Sequence, residues 1–107
     1  MVKPRRFEVY LAALDPTQGA EIRKTRPCVI ISPNEANDNL DTVIIAPMST
    51  VVRNYPFRVR VRFQERDGQV ALDQLRAIDK LRLRRRLGVL PLETASRITA
   101  MLLAFFG

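Results

Sequence analysis

Histidine is absent from this chain and Cys28 is its single cysteine. Any reaction it performs must therefore run on carboxylates, hydroxyls and guanidinium groups. An imidazole acid–base pair is excluded, and a zinc site would lack its commonest ligands. The stretch richest in such groups is Glu21-Ile22-Arg23-Lys24-Thr25-Arg26-Pro27, which runs straight into Cys28-Val29-Ile30-Ile31-Ser32-Pro33. A charged loop ends in Arg-Pro and meets a β-branched run, so a carboxylate and a guanidinium stand at the mouth of a strand. The planar fork of Arg26 can hold two phosphate oxygens. A guanidinium keeps its charge at physiological pH, which suits it to stabilising charge more than to giving up a proton; the general-acid assignment stays open. Ser49 and Thr50 offer hydroxyls after the apolar run that ends at Ala46, and Asp73 offers a second carboxylate. Cys28 lies inside Cys-Val-Ile-Ile and reads as a buried, inert thiol. No metal-ligand cluster is visible, so no metal and no cofactor are expected.

The elements that must position these groups are mostly strands. Phe7–Leu14 begins with period-2 alternation and reads as a first strand. Asp15-Pro16-Thr17-Gln18-Gly19 is turn chemistry, and the loop runs on to about Thr25. Pro27 opens a second strand that reaches about Ser32 and is apolar enough to be buried on both faces. The polar segment 33–39 has room for a short helical turn. Thr42–Ala46 is a third strand, ended by Pro47. Phe57–Phe63 alternates without fault, with Phe57, Val59, Val61 and Phe63 on one face and Arg58, Arg60 and Arg62 on the other. Glu65-Arg66-Asp67-Gly68 signals a hairpin. Gln69–Leu72 and Leu75–Ile78 are short strand pieces around Asp73-Gln74, and Leu81–Gly88 is a basic connector. From Pro91 to Phe106 the period changes: Leu92, Ala95, Ile98, Leu102 and Phe105 recur at three- and four-residue steps. That predicts an amphipathic helix with Pro in its first turn and Gly107 beyond its end. The pattern is mainly β with one C-terminal α-helix, folded as a small, strongly bent antiparallel barrel.

Length and charge narrow the function. At 107 residues the chain is a single domain, 1–107, and with 7% aromatics and no Trp its core must be aliphatic. A net charge of +7 on so small a domain points to an anionic partner, nucleic acid before others. No apolar run approaches the ~18–20 residues that cross a bilayer. The charged N-terminus is followed by no apolar segment of the signal-peptide kind, so a cytoplasmic protein is expected.

Five short matches occur in order. They are Asp15-Pro16-Thr17-x-Gly19-x-Glu21, Arg26-Pro27-x-Val29-Ile30, Ser49 and Thr50 after the third strand, Tyr55-Pro56-Phe57, and Asp73-Gln74-x-Arg76-x-Ile78-Asp79. They run from Asp15 to Asp79, and the sequence resembles, from Phe7 to the last helix, the MazF/PemK (Kid) family of toxin endoribonucleases from type II toxin–antitoxin systems. The resemblance implies an SH3-like barrel of the CcdB/MazF type and a two-fold homodimer. It also implies sequence-specific, metal-independent cleavage of single-stranded RNA, messenger RNA foremost, which inhibits translation and growth. RNA carries its own nucleophile, the 2′-hydroxyl, so a base, a positive charge and help for the leaving 5′-oxygen suffice. The products would be 2′,3′-cyclic phosphate and 5′-hydroxyl ends.

By resemblance Arg26 is catalytic, and Ser49 takes the place where the family usually has a Thr, with Thr50 as the competing hydroxyl. Glu21 matches a family Glu and is the first choice of base. Asp73 competes; one branch of the family uses an acid there with an Arg two residues earlier, but that position here is Ala71, so Glu21 ranks ahead. The expected RNA-binding set is Arg23, Lys24, Tyr55, Arg58, Arg60, Gln74 and Arg76. Arg82, Arg84, Arg85 and Arg86 form either a solvated connector or a surface for RNA or antitoxin. The implied protein partner is an acidic antitoxin, through which the complex would bind DNA. Two alternatives stay open: a CcdB-like toxin that acts by binding a protein, as against gyrase, and a barrel that only binds nucleic acid.

Overall fold

The computed structural model describes residues 3–14 and 24–107. Among these residues lie seven strands: β1 (Glu8–Leu14), β2 (Lys24–Ile30), β3 (Thr42–Ser49), β4 (Arg58–Phe63), β5 (Arg66–Ala71), β6 (Arg76–Asp79) and β7 (Leu83–Val89). A short helix α1 (Asn34–Asn39) links β2 to β3, single 3-10 turns at Leu72–Gln74 and Lys80–Arg82 flank β6, and helix α2 (Leu92–Phe106) closes the chain. All pairings are antiparallel, in the order β4-β5-β3-β2-β1-β7, with β6 also on β3. The sheet curls into a half-barrel, in keeping with the strongly bent antiparallel barrel expected from the sequence.

β3 is the strand on which the two halves meet. It pairs with β6 through Thr42–Ile45, with β2 through Ile45–Pro47, and with β5 through Met48 and Ser49. The expectation that Pro47 ends this strand is therefore corrected. Pro47 falls between the last β6 pair and the first β5 pair, where a missing N–H donor breaks no bond to either strand.

Two apolar clusters use opposite faces of β1, β2 and β3. Val9, Val29, Ala46 and Met48 join Val59, Val61, Val70, Leu72 and Ile98 in one; Tyr10, Ala12, Cys28, Ile30, Val43 and Ile45 join Ile78 and Leu83 in the other. β2 is buried on both faces as its apolar run predicts, with Cys28, Val29 and Ile30 all at 0% exposure. α2 flanks β4 through Ile98, with Met101 and Leu102 against the first cluster. Burying a side chain such as Ile98 is worth ~1.5–3 kcal/mol. Leu92, assigned by spacing to the buried stripe, is instead 83% exposed because the helix meets the sheet one turn later, at Thr94 and Ala95. Pro91 sits just outside the helix and accepts the Ala95 N–H.

Two further expectations change. The hairpin turns at Gln64-Glu65, not at 65–68: Phe63 pairs with Arg66, and both turn residues have left-handed φ, 50° and 63°. Gly68 is a strand residue opposite Val61. The basic connector is β7, an edge strand on β1 whose register shifts at Val9/Tyr10 and Leu11/Ala12. Those irregularities erase the period-2 signal, and exposed Arg84, Arg85 and Arg86 discourage edge-to-edge association.

Candidate functional site

Register brings the first candidates together. β2 and β3 pair Cys28 with Pro47, Val29 with Ala46 and Ile30 with Ile45. Continuing that register two residues sets Arg26 across from Ser49, beyond the last pair. Both side chains, with Thr50, line one cleft of about 290 Å³ walled by Pro27, Met48 and the β4–β5 hairpin. Arg26 and Ser49 are half-buried and Thr50 is exposed. The Ser49 hydroxyl accepts the Val51 N–H at 3.1 Å, which holds the oxygen in place at the strand end.

Gly68 makes this corner possible. A Cβ there would lie 2.6 Å from the Ser49 carbonyl oxygen, so only glycine lets β5 approach the end of β3. Cys28, two residues along β2, takes no part in ionic chemistry: burial pushes its thiol up to about 12. That agrees with the inert role read from its apolar run.

Ser49 also borders a second cleft, of about 410 Å³, with Val51, Arg53, Tyr55, Arg58, Asp73 and Gln74. A third, of about 200 Å³, continues along Asp73, Gln74, Leu75 and Arg76. The Ser49 hydroxyl thus stands between the Arg26 cleft and a groove carrying four of the expected RNA contacts, Tyr55, Arg58, Gln74 and Arg76. Tyr55 is 56% exposed, and the Arg58 guanidinium carbon lies over its ring, 5.0 Å from the centroid.

Asp73 is committed to a partner. Arg58 Nε donates to Asp73 Oδ1 at 2.6 Å and Nη2 to Oδ2 at 3.1 Å, a two-pronged ion pair. This fits Asp73 as an organiser of the groove. Arg58, Arg60 and Arg62 alternate with buried Val59 and Val61, as the spacing predicts, but their surroundings differ. The Arg58 side chain is only 7% exposed, and Arg62 pairs with Asp67 at 3.0 Å in solvent. Arg60 lines a groove of about 460 Å³ between β4 and α2, together with Arg58, Arg97, Ala100, Met101 and Ala104. Lys24 is exposed at the start of β2 with a left-handed φ of 72°. Glu21 and Arg23, with the 15–19 turn, lie outside the described residues.

Two participants escaped the sequence reading. Arg53 lines the second cleft, and buried Gln69 donates Nε2–H to the Arg53 carbonyl at 3.2 Å while accepting from Arg58 Nη1 at 3.0 Å. A glutamine at the head of the apolar piece Val70-Ala71-Leu72 was the one available signal for the second. Among the described residues no three of His, Cys, Asp and Glu gather at one point, and no helix there is long and apolar enough to cross a membrane.

Comparison with known proteins places the fold. The family described as PemK-like, MazF-like toxin of type II toxin–antitoxin system matches residues 5–106. Over 89 residues the chain is 35% identical to endoribonuclease MazF of Staphylococcus epidermidis, covering 78% of this chain and 74% of that protein. The fold is that of MazF (form I) from Deinococcus radiodurans: TM-score 0.86 at 22% identity, over 100% of this chain and 99% of that one. A mycobacterial endoribonuclease in complex with its cognate antitoxin superposes with TM-score 0.78 at 25% identity, over 94% of this chain and 92% of that one.

Proposed function

The chain belongs to the PemK-like, MazF-like toxins of type II toxin–antitoxin systems and is an endoribonuclease of that kind, and we propose that it cuts single-stranded RNA, messenger RNA foremost, by a metal-independent transesterification. The observation that carries this reading is the shared cleft of Arg26, Ser49 and Thr50 at the continued β2–β3 register. A carboxylate takes the proton of a ribose 2′-hydroxyl. The oxygen attacks the adjacent phosphorus, and negative charge builds on the non-bridging oxygens. Arg26 meets that charge with its fork while the Ser49 hydroxyl donates a hydrogen bond. The bond to the 5′-oxygen breaks, that oxygen takes a proton from water, and the ends are a 2′,3′-cyclic phosphate and a 5′-hydroxyl. Nothing in this sequence of steps calls for a Lewis acid.

Glu21 is the proposed base. Asp73 is the weaker candidate, because Arg58 already holds both its oxygens. RNA would run from Arg23 and Lys24 past Ser49 into the groove of Tyr55, Gln74 and Arg76, with bases stacking on the exposed ring. In the cytoplasm, a two-fold homodimer of such chains would be held inactive by an acidic antitoxin. A flexible acidic segment can match the +7 charge of this chain as RNA does.

The test is incubation of the purified protein with single-stranded RNA in excess EDTA, with the cut ends mapped. Cleavage should persist, leave cyclic phosphates, and vanish when the nucleotide 5′ of the cut lacks its 2′-hydroxyl. Cleavage that stops in EDTA and returns with added Mg²⁺ would overturn the metal-free mechanism. RNA that stays intact throughout would favour action by binding alone.

A further inference from the structure

Arg58 is a heavily engaged cation beside the site, and its partners come from separate segments. Its fork grips Asp73 of the 3-10 turn, at 2.6 and 3.1 Å. Its third donor reaches Gln69 of β5, at 3.0 Å. Gln69 is 0% exposed and passes the connection on to the Arg53 carbonyl, while the Tyr55 ring lies 5.0 Å from the guanidinium carbon. Arg53 and Tyr55 belong to the segment 50–56, every residue of which is exposed. A loop without a buried side chain has little hydrophobic packing to fix its shape. Phe57, which ends the loop, has a left-handed φ of 63°, a strained conformation for an aromatic residue that only surrounding contacts can maintain. The loop begins at Ser49, and its first N–H within reach, that of Val51, is bonded to the Ser49 hydroxyl.

We infer that Arg58 is a positioning residue: through Asp73, Gln69 and Tyr55 it sets the conformation of the 49–57 loop, and so aims the Ser49 hydroxyl and shapes the adjoining cleft, without itself touching phosphate. This inference rests on the endoribonuclease reading above but concerns a residue outside the reacting set. It follows that Arg58 contributes to turnover through geometry rather than charge. An ammonium at this position would not replace it, because a point charge cannot hold two carboxylate oxygens and an amide together.

The experiment compares wild type with Arg58→Met, Arg58→Lys, Asp73→Asn and the Met/Asn double variant. Cleavage of a fluorogenic single-stranded RNA gives kcat and KM, and a 2′-deoxy analogue gives the salt dependence of binding. The chain has two tyrosines and no tryptophan. Tyr10 is 5% exposed and Tyr55 56%, so acrylamide quenching of tyrosine fluorescence reports on Tyr55.

Arg58→Met should lower kcat by about 10- to 100-fold, the cost of displacing a reacting group by up to an ångström. Arg58→Lys should recover little. The salt slope should stay at the wild-type value, the quenching should rise, and the double variant should be no worse than Arg58→Met. Three results would overturn the assignment. One is a wild-type kcat with unchanged quenching. Another is a salt slope shallower by about 0.7, the signature of one lost single-strand phosphate contact. The third is a loss from Asp73→Asn far exceeding that from Arg58→Met, which would make Asp73 the base. If Arg58→Met melts below the assay temperature, Asp73→Asn keeps the side-chain volume and carries the same comparison of quenching, salt slope and kcat. A wild-type protein that leaves RNA intact counts against the endoribonuclease mechanism, whereas the quenching comparison still decides whether Arg58 holds the loop.

Discussion

Replacing Gly68 by alanine should cost about as much in catalysis as in folding, and the structure supplies the magnitude. The added Cβ would meet the Ser49 carbonyl oxygen at 2.6 Å and its carbon at 3.4 Å, both backbone atoms that cannot rotate away. Restoring a separation of 3.0–3.4 Å takes 0.4–0.8 Å of movement. β5 is held on both sides, by β4 along Arg66–Ala71 and by β3 at Gln69 and Val70. Ser49 is the last residue of β3 and opens an exposed loop. The movement therefore falls on Ser49. Forcing a methyl into such a contact costs about 1–3 kcal/mol, and about 4–8 °C of melting temperature per kcal/mol for a domain near this size. A shift approaching an ångström at a reacting group costs up to about 10²-fold in rate. The assay is the initial rate on a fluorogenic single-stranded RNA, at a temperature well below both melting midpoints. Calorimetry or circular dichroism follows the melt. A fall of about 10- to 100-fold in kcat from a protein still fully folded is the expected outcome. A variant with a lowered melting point and a wild-type kcat would refute the reasoning, because the clash would then have moved Ser49 without consequence for the chemistry.

Other changes separate the roles at the same corner. Arg26→Ala should lower cleavage by at least about 10²-fold with the circular dichroism spectrum retained, and Arg26→Lys should restore only part, since an ammonium lacks the fork; near wild-type cutting by Arg26→Ala would remove its proposed role. Ser49→Ala should lose about 10²-fold, Ser49→Thr should keep most activity, and Thr50→Ala should stay near wild type in parallel rate measurements; the reverse order would hand the hydroxyl to Thr50. Cys28 should resist iodoacetamide in the native protein at neutral pH, since burial lifts the thiol from 9.0 to about 12. Its folded-state value is raised, so its contribution to stability is whole below about 9 and is lost as pH climbs toward about 12. Denaturant melts across that interval should show Cys28→Ala losing less stability than wild type.

Much of this protein is legible because it is local. Alternation in 57–63 gives β4, the apolar run 28–31 gives a doubly buried strand, and the change of period after Pro91 gives α2. Each depends on neighbours within a few residues, whose spacing is written directly in the chain. The missing histidine excludes an imidazole acid–base pair before any fold is known. The ordered short matches place the chain in its family, which the residue 5–106 match and the 35% identical Staphylococcus epidermidis relative bear out.

What tertiary structure alone decides is everything that joins distant segments. β7 has no period of its own; it exists because the backbone groups of Leu83–Val89 pair with β1, some 75 residues earlier in the chain. Pro47, read as a stop, is tolerated because of which strands lie beside it, a matter of register and not of propensity. Gly68 looks like turn chemistry, yet it is required by an approach of 2.6 Å to the backbone of another strand. Arg58 and Arg60 are equivalent by alternation and both border the groove beside α2, yet Arg58 is consumed by Asp73 and Gln69. Side-chain period tells which way a residue points from its own strand. Which strand faces it, and what that strand brings, is settled by long-range pairing, and the Ser49 corner is made wholly of such pairings.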